Sequence, residues 1–406
     1  MARGARHGAR LGAARPLRRA ALVAVARVAV TWAGAALAAC GGDATAPEGT
    51  DDPLALSGSP AAFRWALPAG VLPPPVPADN PMSPAKVELG RRLFYDPRLS
   101  VNGAFSCASC HRQEFAFADA RNVSVGATGE VHPRNAIGLA NTGYQRTLGW
   151  ASPPTTQLEG HAELPMFAVD PVEMGLRGRE APLLAELGAV PLYRSLFATA
   201  FPGEATPVSV RGIVRALAAF QRTLVSANAP ADRHRRGEAG AMSAAAVRGL
   251  AVFQAKGCAD CHAGADFTLA TTSAPLDAHF ANTGLYNVGG TGAYPARNQG
   301  LREHTGRDAD MGRMKIPSLR NVALTFPYGH DGSVGSLEAV LDQYARGGRL
   351  VRQGPLAGDG RDSPHRDPRL RPVTLAGAER EELLAFLHAL TDSSFVRNPA
   401  FANPWR

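Results

Sequence analysis

The 406-residue sequence predicts a mainly α chain in which one module occurs twice, with long irregular loops around each copy. Three observations predict it. The pentapeptide Cys107-Ala108-Ser109-Cys110-His111 returns as Cys258-Ala259-Asp260-Cys261-His262. Each copy follows a short apolar-periodic segment opened by a serine, Ser83 in one case and Ser243 in the other. The stretches between are rich in glycine and proline and poor in strand-like alternation, so extended sheet is not expected.

The chain begins with an arginine-rich segment. Arg3, Arg6, Arg10, Arg15, Arg18, Arg19 and Arg27 precede Cys40 with no acid among them, so seven units of the +8 net charge belong there. The remainder is close to neutral, so a nucleic-acid partner is not supported on charge grounds. An apolar run from Ala20 ends in Leu37-Ala38-Ala39-Cys40, similar to a bacterial lipoprotein processing box. Residues 1–40 are therefore expected to be a lipoprotein signal peptide, with Cys40 the lipid-anchored first residue of a periplasmic protein. An uncleaved membrane helix is the rival, and Arg27 inside the run speaks against it. Residues 41–80, with Pro73-Pro74-Pro75 and Pro77, are too poor in apolar surface to offset ordering and are expected to be a tether.

The first domain is placed at 81–230. Ser83 with Pro84 opens its first helix, and Val210, Ile213, Val214, Leu217, Phe220 and Leu224 give an amphipathic helix within 207–226. Residues 121–180 are expected to be irregular. The charged, glycine-containing segment 228–240 is the expected boundary, and the second domain is placed at 240–395. It starts with the Ser243 helix, passes through a glycine-rich stretch at 263–313, and carries helices near 336–344 and 375–390. The stretch at 347–371 between those two is expected to be a surface loop.

The two pentapeptides have a specific chemistry. Two thiols three residues apart can add across the vinyl groups of one haem, and the histidine after the second then faces the iron. A four-cysteine zinc site or two disulfides would use the same thiols, but neither calls for a histidine directly after each pair. Two covalently bound c-type haems are expected, held by Cys107, Cys110 and His111 and by Cys258, Cys261 and His262. Long loops suit this, because the porphyrin fills much of each core.

Two such modules, together with Asn135, Pro171-Val172-Glu173-Met174-Gly175, the run Ile316 to Thr325 and Pro327-Tyr328-Gly329-His330-Asp331-Gly332, resemble the bacterial di-haem cytochrome c peroxidase and MauG superfamily. Asn80-Pro81-Met82-Ser83, Asn282 to Val288 and Arg346-Gly347-Gly348 are most similar to its MbnH-like branch. The resemblance covers most of the chain after Pro81 and implies two cytochrome c-like domains packed across a pseudo-two-fold interface. In members that need reductive activation, a histidine sixteen residues after the first haem histidine closes that iron. Here the position is Ala127, so the resemblance implies an open iron, with His132 the rival if the loop shifts register. The second-haem ligand, fourteen residues after His330, would be Tyr344, as in MauG-like members, with Met311 and Met314 as rivals.

The resemblance further implies that Trp150 relays an electron hole between the haems and that Glu173 shuttles protons on the first haem. Pro165 matches the proline of the distal pocket. His161 stands where the family's glutamine is usual, a departure that leaves its role open between acid–base group and hydrogen-bond substitute. Asn135, Thr325 and Pro327 match an inter-domain calcium site. The resemblance implies a di-haem peroxidase that uses hydrogen peroxide to form high-valent haem iron and oxidises tryptophan of an exported partner protein, a copper-binding one on the MbnH-like assignment. Two alternatives stand beside it: a cytochrome c peroxidase detoxifying peroxide with electrons from a small cytochrome c, and a non-enzymatic di-haem electron-transfer protein.

Overall fold

A computed structural model describes residues 63–151 and 157–406. The predicted signal peptide with Cys40, and the predicted tether as far as residue 62, lie outside the described residues. The helices run in the order α1 (Pro84–Phe94), α2 (Leu158–Phe167), α3 (Glu180–Ala189), α4 (Pro191–Ala200), α5 (Val210–Thr223), α6 (Pro230–Arg235), α7 (Ala244–Ala255), α8 (Arg302–Thr305), α9 (Leu337–Arg346), α10 (Glu379–His388) and α11 (Ser393–Val396). Strand is confined to two short antiparallel pairs among the described residues, β1 (Phe280–Ala281) with β2 (Met314–Lys315) and β3 (Leu350–Val351) with β4 (Gly358–Asp359). Among the described residues, no helix is long and apolar enough to cross a membrane.

Serine hydroxyls start the helices of the architecture. Ser83, Ser209, Ser243 and Ser336 each accept a backbone N–H from the first turn of α1, α5, α7 and α9, satisfying a donor the helix cannot. α1 then crosses α5, and α7 crosses α10. Each crossing is set by one glycine. A Cβ on Gly90 would lie 1.9 Å from the Ala216 carbonyl oxygen, and a Cβ on Gly249 would lie 1.8 Å from that of Glu382. One turn further on, Phe94 meets Phe220 at 5.3 Å and Phe253 meets Phe386 at 5.2 Å, with interplanar angles of 58° and 57°. The duplication read from the pentapeptides thus extends to the backbone contact that builds each half.

Each crossing has its own apolar core. Leu89, Leu93, Leu99, Tyr193, Phe197 and Phe220 are buried in the first, and Met242, Phe253, Leu341, Leu383, Phe386 and Leu390 in the second. The halves are not sealed off from each other, and the described chain falls within one compact unit. Phe395 and Phe401, from the end of the chain, are buried in the first core.

Three stretches depart from expectation. The irregular region 121–180 contains α2, which the sequence concealed because Pro165 interrupts its period. The last residues of the expected tether pack on the first half: Phe63 joins its core, Pro74 is buried, and the Asn80 side chain donates to Glu159 Oε1 at 2.6 Å and to the Arg215 carbonyl at 3.0 Å. The expected boundary 228–240 forms α6, and its Asp232 is 2% exposed. Arg320 grips Asp232 through two hydrogen bonds of 2.7 and 2.9 Å and reaches Asp266 at 2.5 Å, while Asp266 also accepts from Asn141 in the first half. A buried guanidinium is tolerated only with such partners. Asp232→Ala is expected to cost about 3 kcal/mol, because a buried charge loses its bidentate partner. Glu238→Ala, which breaks an exposed pair with Arg233, is expected to stay within about 0.5 kcal/mol. Chemical denaturation of the two variants beside the parent checks this.

Candidate haem sites

Both pentapeptides fold in the same way. Each begins as a single 3-10 turn, at Cys107–Ser109 and Cys258–Asp260, and in each the histidine N–H donates to the first cysteine carbonyl at 2.9 Å. The four thiols are unpaired. Among the described residues no three His, Cys, Asp or Glu side chains converge as a metal cage, so the two cysteine pairs do not share a zinc site.

The histidines are oriented by the same device. His111 Nδ1 pairs with the Phe117 carbonyl at 2.8 Å, and His262 Nδ1 with the Phe267 carbonyl at 3.0 Å. That contact fixes Nδ1 as the protonated nitrogen and leaves Nε2 free to ligate iron. Phe117 and Phe267 take positive φ values of 62° and 52° to aim those carbonyls. For a bulky residue this conformation costs on the order of 1–3 kcal/mol. The packing that holds it is again shared, since Phe117 meets Phe94 at 5.9 Å and Phe267 meets Phe253 at 6.0 Å.

Around the second pentapeptide lies a cavity of about 750 Å³, of a size that takes a large cofactor. Cys258, Cys261 and His262 line it, and so do Tyr344, Met314 and Trp150. Tyr344 reaches it from α9, and burial pushes the free phenol well above its ordinary value. Its hydroxyl has no hydrogen-bond partner among the described residues. Of the rival ligands, Met314 shares the cavity wall, whereas Met311 packs beside Leu285, Tyr286 and Tyr294.

On the first half, α2 presents His161 and Pro165 one turn apart, hence on one face. α2 is pinned to α5 by Glu159, which accepts from both ends of the Arg222 guanidinium at 2.7 and 2.8 Å. His161 Nδ1 is buried without a partner. Desolvation, then Lys315 and His111, lowers the imidazole to about 4, so it is neutral. The Pro165 carbonyl accepts from Met174 at 2.9 Å, which draws the Glu173 segment onto α2. Glu173 leaves 41% of its side chain accessible, yet packing around the carboxyl pushes it up to about 7. An orphaned imidazole nitrogen and a carboxyl of raised pKa suit a group that supplies the missing bond and exchanges protons.

The loop after His111 is pinned around Ala127, sixteen residues on. Val125 and Val131 pair across it, and Ala127 N–H donates to the Glu173 carbonyl at 2.6 Å. A Cβ on Gly126 would meet the Val172 carbonyl at 2.0 Å, so the close approach requires glycine. Ala127 is buried at the tip, while His132 Nδ1 stands 4.0 Å from Glu173 Oε1.

Trp150 sits where the halves meet. Its indole N–H donates to the Asn135 carbonyl at 2.8 Å, and its own carbonyl accepts from Lys315 at 2.7 Å. Asn135 N–H in turn donates to the His330 carbonyl at 2.8 Å. Asn135, Thr325 and Pro327 all line the cavity. The Asn135 amide nitrogen donates to the Arg121 and Asn122 carbonyls, which turns its side-chain oxygen away from them.

The sequence reading missed Lys315. It is 2% exposed, donates to Gln145 Oε1 at 2.6 Å, and burial lowers it to about 7. The only available signal was its place beside the Ile316 run, where a lone lysine reads as a solvated end.

Comparison with known proteins agrees with this geometry. A family model described as di-haem cytochrome c peroxidase matches residues 84–240. The methylamine utilization protein MauG of Methylorubrum extorquens is 36% identical over 373 residues, 91% of this chain and 94% of its own length. The cytochrome-c peroxidase IdrP1 of Denitromonas iodatirespirans is 35% identical over 355 residues, 80% of this chain and 86% of its own. A solved MauG-like protein associated with microbial copper homeostasis has a TM-score of 0.80 at 46% identity, covering 85% of this chain and 100% of that one. With the thiol pairs, the oriented histidines and the helix crossings present twice, the chain belongs to the di-haem cytochrome c peroxidase family and is a two-haem oxidoreductase of the group that includes MauG.

Proposed function

We propose that this enzyme turns hydrogen peroxide into an oxidant for tryptophan of an exported partner protein, in the manner its MauG-like and MbnH-like resemblance implies. When bound, the haems supply the two-electron reduction of peroxide and the storage of two oxidising equivalents. The residues of the chain do the rest. Ala127 has no lone pair to close the first iron. Glu173, with a carboxyl near neutrality, takes the proton from the inner peroxide oxygen and returns it to the outer one. His161, neutral, offers a hydrogen bond on the same side. Trp150 offers an oxidisable ring at the junction of the halves, and the partner need only dock near the second haem.

The observation that carries this reading is Tyr344, a phenol on the wall of the cavity that Cys258, Cys261 and His262 also line. As an oxygen ligand it favours the higher oxidation states and suits storage over rapid electron delivery. The resting ferric protein is then expected to show one high-spin and one low-spin haem by EPR, and to react with peroxide without prior reduction. Tyr344→Phe is expected to convert the low-spin signal to high-spin and to shorten the life of the peroxide-oxidised state. An unchanged low-spin signal in that variant would sink the assignment.

A second reading has one observation in its favour: Met314 shares the wall with Tyr344. A thioether ligand there would make the second haem an electron entry point and the enzyme a peroxidase fed by a small cytochrome c. The solved relative's association with copper homeostasis, at 46% identity, supports an exported copper-binding partner over a cytochrome donor. Under the same proposal Asn135, Thr325 and Pro327 offer one side-chain and two backbone oxygens to a calcium ion between the halves. Cys40 would hold the enzyme to a membrane facing the periplasm.

A further inference from the structure

An aromatic row leads away from Trp150 and ends at a tyrosine built to lose a proton. The Trp150 ring centroid lies 6.5 Å from that of His330, and both residues line the second-haem cavity. His330 stacks on Tyr294 at 6.2 Å with planes 28° apart, and Tyr294 meets Tyr286 edge-on at 5.5 Å. His330 Nε2 is buried without a partner, and desolvation holds the imidazole below its ordinary value against the pull of the adjacent Asp331 carboxylate, so the ring serves as a neutral bridge. Tyr286 and Tyr294 are each 5% exposed and packed with Leu285 and Val334, away from water.

The two phenols differ in what they face. Tyr294 donates to the Asn282 side-chain oxygen at 2.7 Å, and an amide cannot take the proton. Tyr286 donates to Asp331 Oδ2 at 2.5 Å, and a carboxylate can. The other Asp331 oxygen accepts from Ser333 N–H at 3.0 Å, which fixes the carboxylate toward the phenol. The Arg349 guanidinium lies 5.5 Å from the centre of the Tyr286 ring. A cation there disfavours a positively charged ring, so electron loss must be accompanied by proton loss.

We infer that Tyr286 is a redox-active residue that drains one oxidising equivalent from the haem pair. It gives one electron through Tyr294, His330 and Trp150, and its phenolic proton moves to Asp331. The products are a neutral phenoxyl radical, a neutral Asp331 carboxylic acid and a haem pair reduced by one electron. Peroxide is the only oxidant required. The inference rests on the proposed storage of oxidising equivalents, and it gives the enzyme an internal outlet when no partner is docked.

The test mixes the two-haem protein with peroxide, without partner, and follows samples by optical spectroscopy and freeze-quench EPR. The parent is expected to develop a tyrosyl signal that narrows when the protein carries ring-deuterated tyrosine. Tyr286→Phe is expected to lose that signal and to lengthen the oxidised haem state several-fold. Asp331→Asn, which keeps a hydrogen-bond acceptor but removes the base, is expected to lose it as well. Oxidised haems with no tyrosyl signal in the parent, or an undiminished signal in Tyr286→Phe, would overturn the inference and leave the proposed function standing. Haems that peroxide does not oxidise would overturn both.

Discussion

Glu173→Gln is expected to slow the reaction of the resting enzyme with hydrogen peroxide by about 10²–10⁴-fold, the usual contribution of a positioned acid–base group. Glutamine keeps the size and most of the packing but cannot accept the first peroxide proton. The pH dependence gives a second readout. The carboxyl sits near 7 because packing strips water from it, so the base form grows as pH rises through that value. The parent's rate is therefore expected to climb between about pH 6 and 8 and then level off. His132 is the titratable side chain facing this carboxyl, at 4.0 Å. Burial lowers its imidazole below the ordinary value, which favours the neutral ring as pH rises. Stopped-flow spectroscopy of parent and variant across this range checks both points: loss of the rising limb in Glu173→Gln is expected, and an intact limb would remove Glu173 from the proton path.

Gly249→Ala is expected to be strongly destabilising. Its Cβ would lie 1.8 Å from the Glu382 carbonyl oxygen and 2.8 Å from the Phe386 Cβ, so α7 and α10 must separate. Overpacking of this kind costs about 3 kcal/mol or more when the obstacle is backbone. The loss goes beyond stability, because Phe253 and Phe386 hold Phe267, and the Phe267 carbonyl orients His262. Gly188→Ala is the control. It lies inside α3 with nothing within 4 Å of its Cβ position, and there alanine is expected to stabilise by about 0.5–1 kcal/mol. Denaturant titration of the two-haem protein separates the cases, and equal midpoints for the two variants would refute the close-crossing account.

The sequence was informative where chemistry demands adjacent residues. Thiol, thiol and histidine must be neighbours to hold one haem, and a serine must stand directly before the helix it caps, so these features could be read without coordinates. The helix crossings could not, because nothing about Gly90 or Gly249 says which backbone will approach. α2 escaped notice since Pro165 spoils its periodicity, although the same proline and His161 are what it presents. Arg320 and Asp232, 88 positions apart, and the lone Lys315 look like ordinary solvated charges until the fold buries them. The grouping of His161, Pro165 and Glu173 was legible only through the family resemblance; they lie on α2 and on the segment that Pro165 draws against it.

The end of the chain reaches back across the molecule. Phe395 and Phe401 close on Phe117 at 5.7 and 6.5 Å, Asn398 accepts from Gln113, and the Tyr95 hydroxyl donates to the Phe401 carbonyl at 2.7 Å. The strained residue that steers the first pentapeptide's histidine is thus braced by residues 395–401. A change at Phe395 or Phe401 would therefore reach the orientation of His111 without touching either pentapeptide, so the aim of the first histidine depends on residues nearly three hundred positions away.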